Sequence, residues 1–318
     1  MGATKKMTKV LIIGGLGFIG NYLAKECLKK KFEVTILSKT KNKIKNIEDI
    51  KNSVKLIIKD VAEIDLEVKG FDYIFDLAGS TDNYSIIENE PYKDIQMNCT
   101  GTIALLEACK KHNPRARIIY ASTFFVNGQV KKLPVTSDSP CSPRGLYGAT
   151  KLAAEHFCKI YANIFGLDIV IARFTNVFGE LENGENKKKA GFNYLINLAV
   201  KGEEIPVYEG GDYYRDYIYV TDVVDACILL AEKGIRNKIY YVGRGEFIKF
   251  KELIEILINE TQSTSISIPS PEFHKKVGIR DFVCDNTPLR EIGWKPKISI
   301  KEGIINTIKH YKKELKKN

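Results

Sequence analysis

The apolar run at residues 10–13 empties directly into Gly14-Gly15-Leu16-Gly17-Phe18-Ile19-Gly20, and few folds accept three glycines at that spacing between a strand and a helix. Gly14 permits a tight turn out of the strand, Gly17 lets the backbone approach a pyrophosphate, and Gly20 lets the next helix pack closely on the sheet. The helix opening near Phe18 and Ile19 then aims its free N–H groups and the positive end of its dipole at the phosphates. A glycine triplet alone is weak evidence, because ordinary turns use it too. Far downstream, however, Tyr147-Gly148-Ala149-Thr150-Lys151 sets a phenol and an amine one helical turn apart, a pair able to move a proton. In this order the two segments point to an enzyme that binds a dinucleotide.

The first half of the chain alternates β-rich runs (10–13, 34–37, 56–58, 73–77, 118–121 and 169–172) with amphipathic helical stretches such as 20–30 and 98–112. That rhythm predicts an α/β fold: a doubly wound, parallel Rossmann sheet covered by helices on both faces, with ligands beyond the carboxyl ends of the strands. After Phe178 the pattern loosens into Gly- and Lys-rich sequence and shorter elements. Residues 1–177 are expected to form the dinucleotide-binding domain, with segments near 214–260 returning to it. Residues 178–213 and 261–318 are expected to form a smaller C-terminal α/β substrate lobe.

Composition excludes several alternatives. The longest apolar runs fall far short of the roughly 20 residues needed to cross a bilayer, and the basic N-terminus has no apolar signal core behind it, so no membrane association and a cytoplasmic location are expected. Seven cysteines without a C-x-x-C pair read as free thiols, and four histidines without ligand spacing argue against a metal. The net charge of +10 would attract any anion, but only nine of the 49 basic residues are Arg and no aromatics interleave them, so no nucleic-acid partner is expected. The charge reads as a solvated surface that also favours a phosphate-bearing substrate.

Taken together, these segments resemble the extended short-chain dehydrogenase/reductases, in the nucleotide-sugar epimerase/dehydratase branch, over nearly the whole chain. The glycine segment is similar to that family's signature. Asp60-Val61 resembles its adenine contact, Leu77-Ala78-Gly79 its cofactor-lining turn, and Asn98 the asparagine bracing sheet and active-site helix. Ala121-Ser122-Thr123 resembles its Ser/Thr element, Tyr147 and Lys151 its catalytic pair, and the segment from Arg173 through Phe174 and Asn176 to Gly179 its entry into the sugar-nucleotide lobe. Arg215-Asp216 is similar to the stretch whose arginine meets the substrate pyrophosphate, and Gly293-Trp294-Lys295-Pro296 to the closing signature. The resemblance implies a nucleotide-diphosphate sugar substrate, contacts to it from Thr81, Thr123, Asn176, Tyr208, Arg215 and Arg280, and a homodimer formed through the helices at 98–112 and 147–164.

The second strand ends in Leu37-Ser38-Lys39-Thr40-Lys41, with no carboxylate for a ribose 2′-hydroxyl. Ser38 and Lys39 could donate to a 2′-phosphate, so the cofactor, NADP or NAD, leans toward NADP. A free phenol titrates near 10, and Lys151 beside a positively charged nicotinamide is expected to bring Tyr147 down, so that it can take a sugar hydroxyl proton while Thr123 shares the same oxygen. Relatives that remove water across C4–C6 carry an acidic pair directly after the active-site Thr; here Phe124 and Phe125 stand there. Dehydration is therefore disfavoured. NAD(P)-dependent 4-epimerisation is preferred and NADPH-dependent reduction of a 4-keto-6-deoxy sugar is the alternative, with a catalytically dead NADP sensor behind both. Asn127 replaces the tyrosine usual in the family's V-Y-G turn, which suggests an altered sugar pocket.

Overall fold

Strand β1 (Lys9–Ile13) buries Val10, Leu11, Ile12 and Ile13 alike, as a strand covered on both faces must. The computed structural model describes residues 7–79, 90–182, 184–185 and 191–316. In it β1 is followed by β2 (Glu33–Ser38), β3 (Lys55–Ile58), β4 (Tyr73–Asp76), β5 (Arg117–Thr123) and β6 (Asp168–Phe174). Shorter strands follow: β7 (Asn176–Phe178), β8 (Ile205–Tyr208), β9 (Tyr217–Tyr219), β10 (Ile239–Val242) and β11 (Ser265–Ile268). Seven of these form one parallel sheet in the order β10-β6-β5-β4-β1-β2-β3, the Rossmann-like α/β arrangement expected. The order reverses beside β1, and the crevice at that switch point lies beyond the carboxyl ends of β1 and β4.

Helices α1 (Phe18–Lys29), α2 (Gly101–His112), α3 (Leu146–Ile164), α4 (Gly191–Val200), α5 (Val220–Lys233), α6 (Phe250–Thr261) and α7 (Ile300–Leu315) supply the covering layers. Leu23, Ala24 and Cys27 of α1 join Val223, Val224 and Cys227 of α5 in the core on one face of the sheet. Leu105 and Leu106 of α2 join Ala154, Cys158 and Ala162 of α3 on the other. A separate core gathers α4, α6 and α7 around β8, built on Phe192, Ile196, Leu253, Leu257 and Ile304. The chain recrosses between these cores. β10 lies beside β6 in the main sheet, whereas Trp294, with Leu289, packs back into the core under α1 and α5 and donates its indole N–H to the Asp222 carbonyl at 3.1 Å.

Two departures from the sequence reading bear on the site. β5 and β6 run two residues past their expected ends, pairing Thr123 with Phe174 at the mouth of the crevice. The helix expected from residue 98 becomes α-helical only at Gly101; residues Ile95–Thr100 form one turn of π-helix, which carries Asn98 inward. Among the described residues no helix is long and apolar enough to cross a membrane.

Candidate active site

Gly14 adopts φ +78°, and a Cβ there would lie 3.1 Å from the backbone of Leu77 and Ala78, so β1 can turn beside β4 only with glycine at this point. A Cβ on Gly20 would come within 2.5 Å of the Gly14 carbonyl oxygen, which fixes the start of α1 against the turn. No side chain caps α1, and Gly17 donates its N–H to Gly14 O at 2.9 Å. The first-turn amides of α1 are thus left to an anion in the crevice.

From this turn runs a cleft of about 930 Å³. Gly14, Gly17, Phe18, Ile19 and Gly20 line its floor, Leu77, Ala78 and Gly79 the wall after β4, and Tyr147, Lys151 and Phe174 its inner end. An anion-ready glycine turn joined to a basic, partly apolar inner end fits a dinucleotide. Sequence reasoning missed the opposite wall, where Lys43 and Asn46 face Leu181, Glu182 and Tyr311. Segment 180–182 is tied to both halves of the molecule. The Tyr22 hydroxyl of α1 donates to Glu180 at 3.1 Å, Tyr219 of β9 bonds the same carboxylate, and the Tyr311 hydroxyl of α7 donates to the Glu182 carbonyl at 2.8 Å. Burial pushes the Glu182 carboxyl up to about 8 against the pull of Lys43.

At the inner end, Tyr147 and Lys151 project from the first two turns of α3. Tyr147 is hydrogen-bonded to Thr123, which also caps the short 3-10 turn Phe124–Asn127 by accepting from the Phe125 N–H at 3.3 Å. Lys151, only 3% exposed, donates to the carbonyls of Ala78 at 3.2 Å and Ala121 at 2.9 Å. Burial lowers its pKa, and the acidic groups Asp76, Glu155 and Asp94 work against that. In the protein alone burial pushes the Tyr147 phenol up to about 12, the Thr123 hydrogen bond opposes this and Asp94 adds to it. Asn98 donates to the Thr150 hydroxyl of α3 at 3.0 Å, while its Oδ1 is buried without a protein partner. Phe124 is buried against Phe282 (ring centroids 4.7 Å apart), and Phe125 turns its ring edge-on to Tyr147 at 6.0 Å. Asn127 does not line the pocket. It is 1% exposed, accepts from the Tyr241 hydroxyl at 2.5 Å and donates to the Pro140 carbonyl, so the departure at this position changes loop support.

Beyond β2, Lys39 forms an ion pair with Asp60 at 2.7 Å and the Ser38 hydroxyl donates to the Thr40 carbonyl at 3.0 Å. Burial alone would raise Asp60, but Lys39 and the amides of Ala62 and Val61 hold it below the usual carboxylate range. Neither donor on which the lean to NADP rested is uncommitted. Val61 is buried, and Gly101 of α2 packs so closely on it that a Cβ there would lie 2.6 Å from a Val61 methyl.

On the substrate side Thr81 lies outside the described residues. Asn176 donates its amide to the Asp216 carbonyl at 3.0 Å. The two acidic neighbours that could neutralise Arg215 are otherwise engaged: Asp212 pairs with Lys249 at 2.6 Å, and buried Asp216 accepts from the amides of Arg244, Gly245 and Cys284. The Arg215 guanidinium sits 5.4 Å from the Tyr213 ring centroid, and both Arg215 and exposed Arg280 pull the Tyr213 phenol down against its burial. Both arginines thus lie within electrostatic reach of Tyr213. Tyr208, at the end of β8, packs edge-on to His274 at 5.4 Å.

The model of the NAD dependent epimerase/dehydratase family matches residues 10–243. The chain belongs to that family. It is an enzyme of the extended short-chain dehydrogenase/reductase type, a family built on a nicotinamide dinucleotide. Among relatives of this epimerase/dehydratase member, the putative UDP-glucose 4-epimerase of Methanocaldococcus jannaschii is 27% identical over 93% of this chain and 95% of its own. A UDP-N-acetylglucosamine 4-epimerase from Methanobrevibacter ruminantium, solved with UDP-N-acetylmuramic acid, superposes with a TM-score of 0.90 at 27% identity, covering 98% of this chain and 100% of that one. The Thermus thermophilus UDP-glucose 4-epimerase, solved with NAD, gives a TM-score of 0.84 at 26% identity over 96% and 99% of the two chains.

Proposed function

We propose that the protein interconverts the C4 epimers of a nucleotide-diphosphate hexose, of the UDP-sugar class, by transient oxidation at C4. The observation that carries this reading is the meeting of Tyr147, Thr123 and Lys151 at the inner end of the dinucleotide cleft, with phenylalanines where an acid and a base for water loss would stand. When bound there, the nicotinamide supplies reversible hydride uptake. The chain's own task is the proton. Tyr147 takes it from the sugar O4 while Thr123 Oγ1 holds the same oxygen, and both give it back once the keto-sugar has turned its opposite face, which inverts C4. An ammonium has three donors, and Lys151 uses two on carbonyls. The third is left for the nicotinamide ribose, and its charge favours the phenolate as the proton moves. Arg215 and Arg280 are assigned to the substrate pyrophosphate, with Asn176 and Tyr208 beside it.

Within this proposal the dinucleotide is NAD and stays bound, held by the floor of the cleft and by segment 180–182 across from it. Net reduction by NADPH loses its support once Lys39 is paired with Asp60. A homodimer in the cytoplasm completes the reading, supported by seven free cysteines and by apolar side chains exposed on α2 and α3. Incubation with a panel of UDP-, GDP-, dTDP- and CDP-hexoses tests it: C4 epimers are expected with no net change in nicotinamide absorbance. A product lighter by one water, or stoichiometric consumption of NADPH, overturns the assignment.

A further inference from the structure

Three successive turns of α3 are joined to three successive residues at the end of β5. Tyr147 bonds Thr123, Lys151 donates to the Ala121 carbonyl at 2.9 Å, and Glu155 accepts from the Ser122 hydroxyl at 2.5 Å. The spacing i, i+4, i+8 puts the three side chains on one stripe of the helix. The third contact continues across the sheet. Arg173 of β6, the register partner of Ser122, holds both Glu155 oxygens at 2.9 and 2.7 Å; Tyr241 of β10, the register partner of Arg173, accepts from its guanidinium at 3.1 Å and donates its own hydroxyl to Asn127 Oδ1 at 2.5 Å. Ser122, Glu155, Arg173, Tyr241 and Asn127 are each no more than 3% exposed.

Removing two charges from water so completely costs several kcal/mol per ion, and well-packed apolar residues in their place are often as stable or more so. Stability alone is thus a poor account of this row. What an ion pair with two-point geometry supplies, and a methyl-lined contact does not, is a fixed orientation. We propose that Glu155, held by Arg173 and Ser122, is a positioning residue that fixes the rotation and axial register of α3 on β5, and thereby the Tyr147–Thr123 pair. The inference rests on the reading above, in which Tyr147 and Thr123 act on the sugar oxygen. A catalytic group displaced by about 1 Å can lose on the order of 100-fold in rate, so a third contact two turns away, whose Ser122 also lines the cleft, matters for turnover through the Tyr147–Thr123 pair.

Ser122→Ala removes one hydrogen bond and leaves the ion pair; Glu155→Gln keeps the shape and removes the charge. With UDP-glucose as probe, Ser122→Ala is expected to lower kcat about tenfold with KM and NAD affinity within about twofold, the signature of an interaction lost in the transition state. Glu155→Gln is expected to lower kcat further. Hydrogen–deuterium exchange reports positioning without turnover: amides at 146–151 should exchange faster in Ser122→Ala while the melting temperature stays close to wild type. Unchanged kcat and unchanged exchange in Ser122→Ala overturn the proposal, as does a loss of turnover that merely follows a fall in melting temperature. If Glu155→Gln does not fold, Ser122→Ala decides alone. Should the wild type turn over no nucleotide sugar, the epimerase reading fails by itself, and the exchange at 146–151 still supports or refutes the positioning role.

Discussion

Tyr147 sits between opposed influences: burial and Asp94 hold its proton on, while the Thr123 hydrogen bond eases it off. On the proposed reading the phenol therefore rests protonated and becomes a base only as the sugar oxygen gives up its own proton. Tyr147→Phe removes that step and is expected to lower kcat by at least about 100-fold while NAD binding and melting temperature stay near wild type, measured by steady-state kinetics and dinucleotide titration. The Tyr/Lys spacing and the Thr before Phe124 were legible in sequence because they are local patterns. The direction of the Tyr147 shift in the protein alone was not, because it is set first by burial, which elements remote in the chain supply, and by Asp94. The same holds for Lys39, which reads as a phosphate ligand until Asp60 is found beside it. NAD is accordingly expected to bind at least as tightly as NADP by titration of the apo-protein. Asp60→Asn, which releases Lys39, should shift the ratio of the two affinities toward NADP, and an unmoved ratio would remove Lys39 from the argument.

Elements rich in apolar periodicity were read correctly from the sequence, since strands β1, β2, β4, β5 and β6 and helices α1 and α3 each bury residues that the pattern announces, while β3 at the sheet edge is only partly covered. Segment 180–182 has no such pattern; its place is set by single hydroxyls of Tyr22, Tyr219 and Tyr311 contributed by three different elements. If this segment retains the dinucleotide, Tyr22→Phe should speed NAD release, followed by displacement with excess NADH, without altering the glycine turn; an unchanged rate would relieve the segment of that task. Glu182 makes the same segment sensitive to pH. Its pKa, raised from 4.5 to about 8 by burial, means that the folded protein keeps a proton there which the unfolded chain has released. Stability should therefore fall as pH rises from about 4.5 to 8, with a slope from this group of at most about 1.4 kcal/mol per pH unit. Denaturant unfolding at pH 5.5 and 7.5 is expected to show the slope in wild type and to lose that part of it in Glu182→Gln.

Among the described residues, apolar side chains face solvent on the layer built by α2 and α3. Ile103 of α2 is 38% exposed, and Ile160 and Ile164 of α3, followed by Phe165, are 47%, 69% and 46% exposed. Ile160 and Ile164 are one turn apart on one face, and Lys110 of α2 lies over the Phe165 ring at 4.7 Å, so the two helices present a shared surface with a charged rim. The two helices run side by side in the same direction, with Asn98 just before α2 meeting Thr150 near the start of α3 and Lys110 near the end of α2 meeting Phe165 just after α3, and a patch on such a pair suits a two-fold contact, in which the same pair of helices meets its own copy and four helices close around an apolar seam. The active-site ends of β5 and α3 lie at the other end of these helices from Ile164, so such a contact buries the seam without closing the cleft. Sedimentation at micromolar concentration is expected to give twice the chain mass. Ile160→Glu with Ile164→Glu places two carboxylates at the centre of the seam, where desolvation without partners opposes association, and should yield a monomer that still binds NAD. Wild-type protein that sediments as a monomer under these conditions would refute the contact, and a double variant that remains dimeric would move the interface to another face.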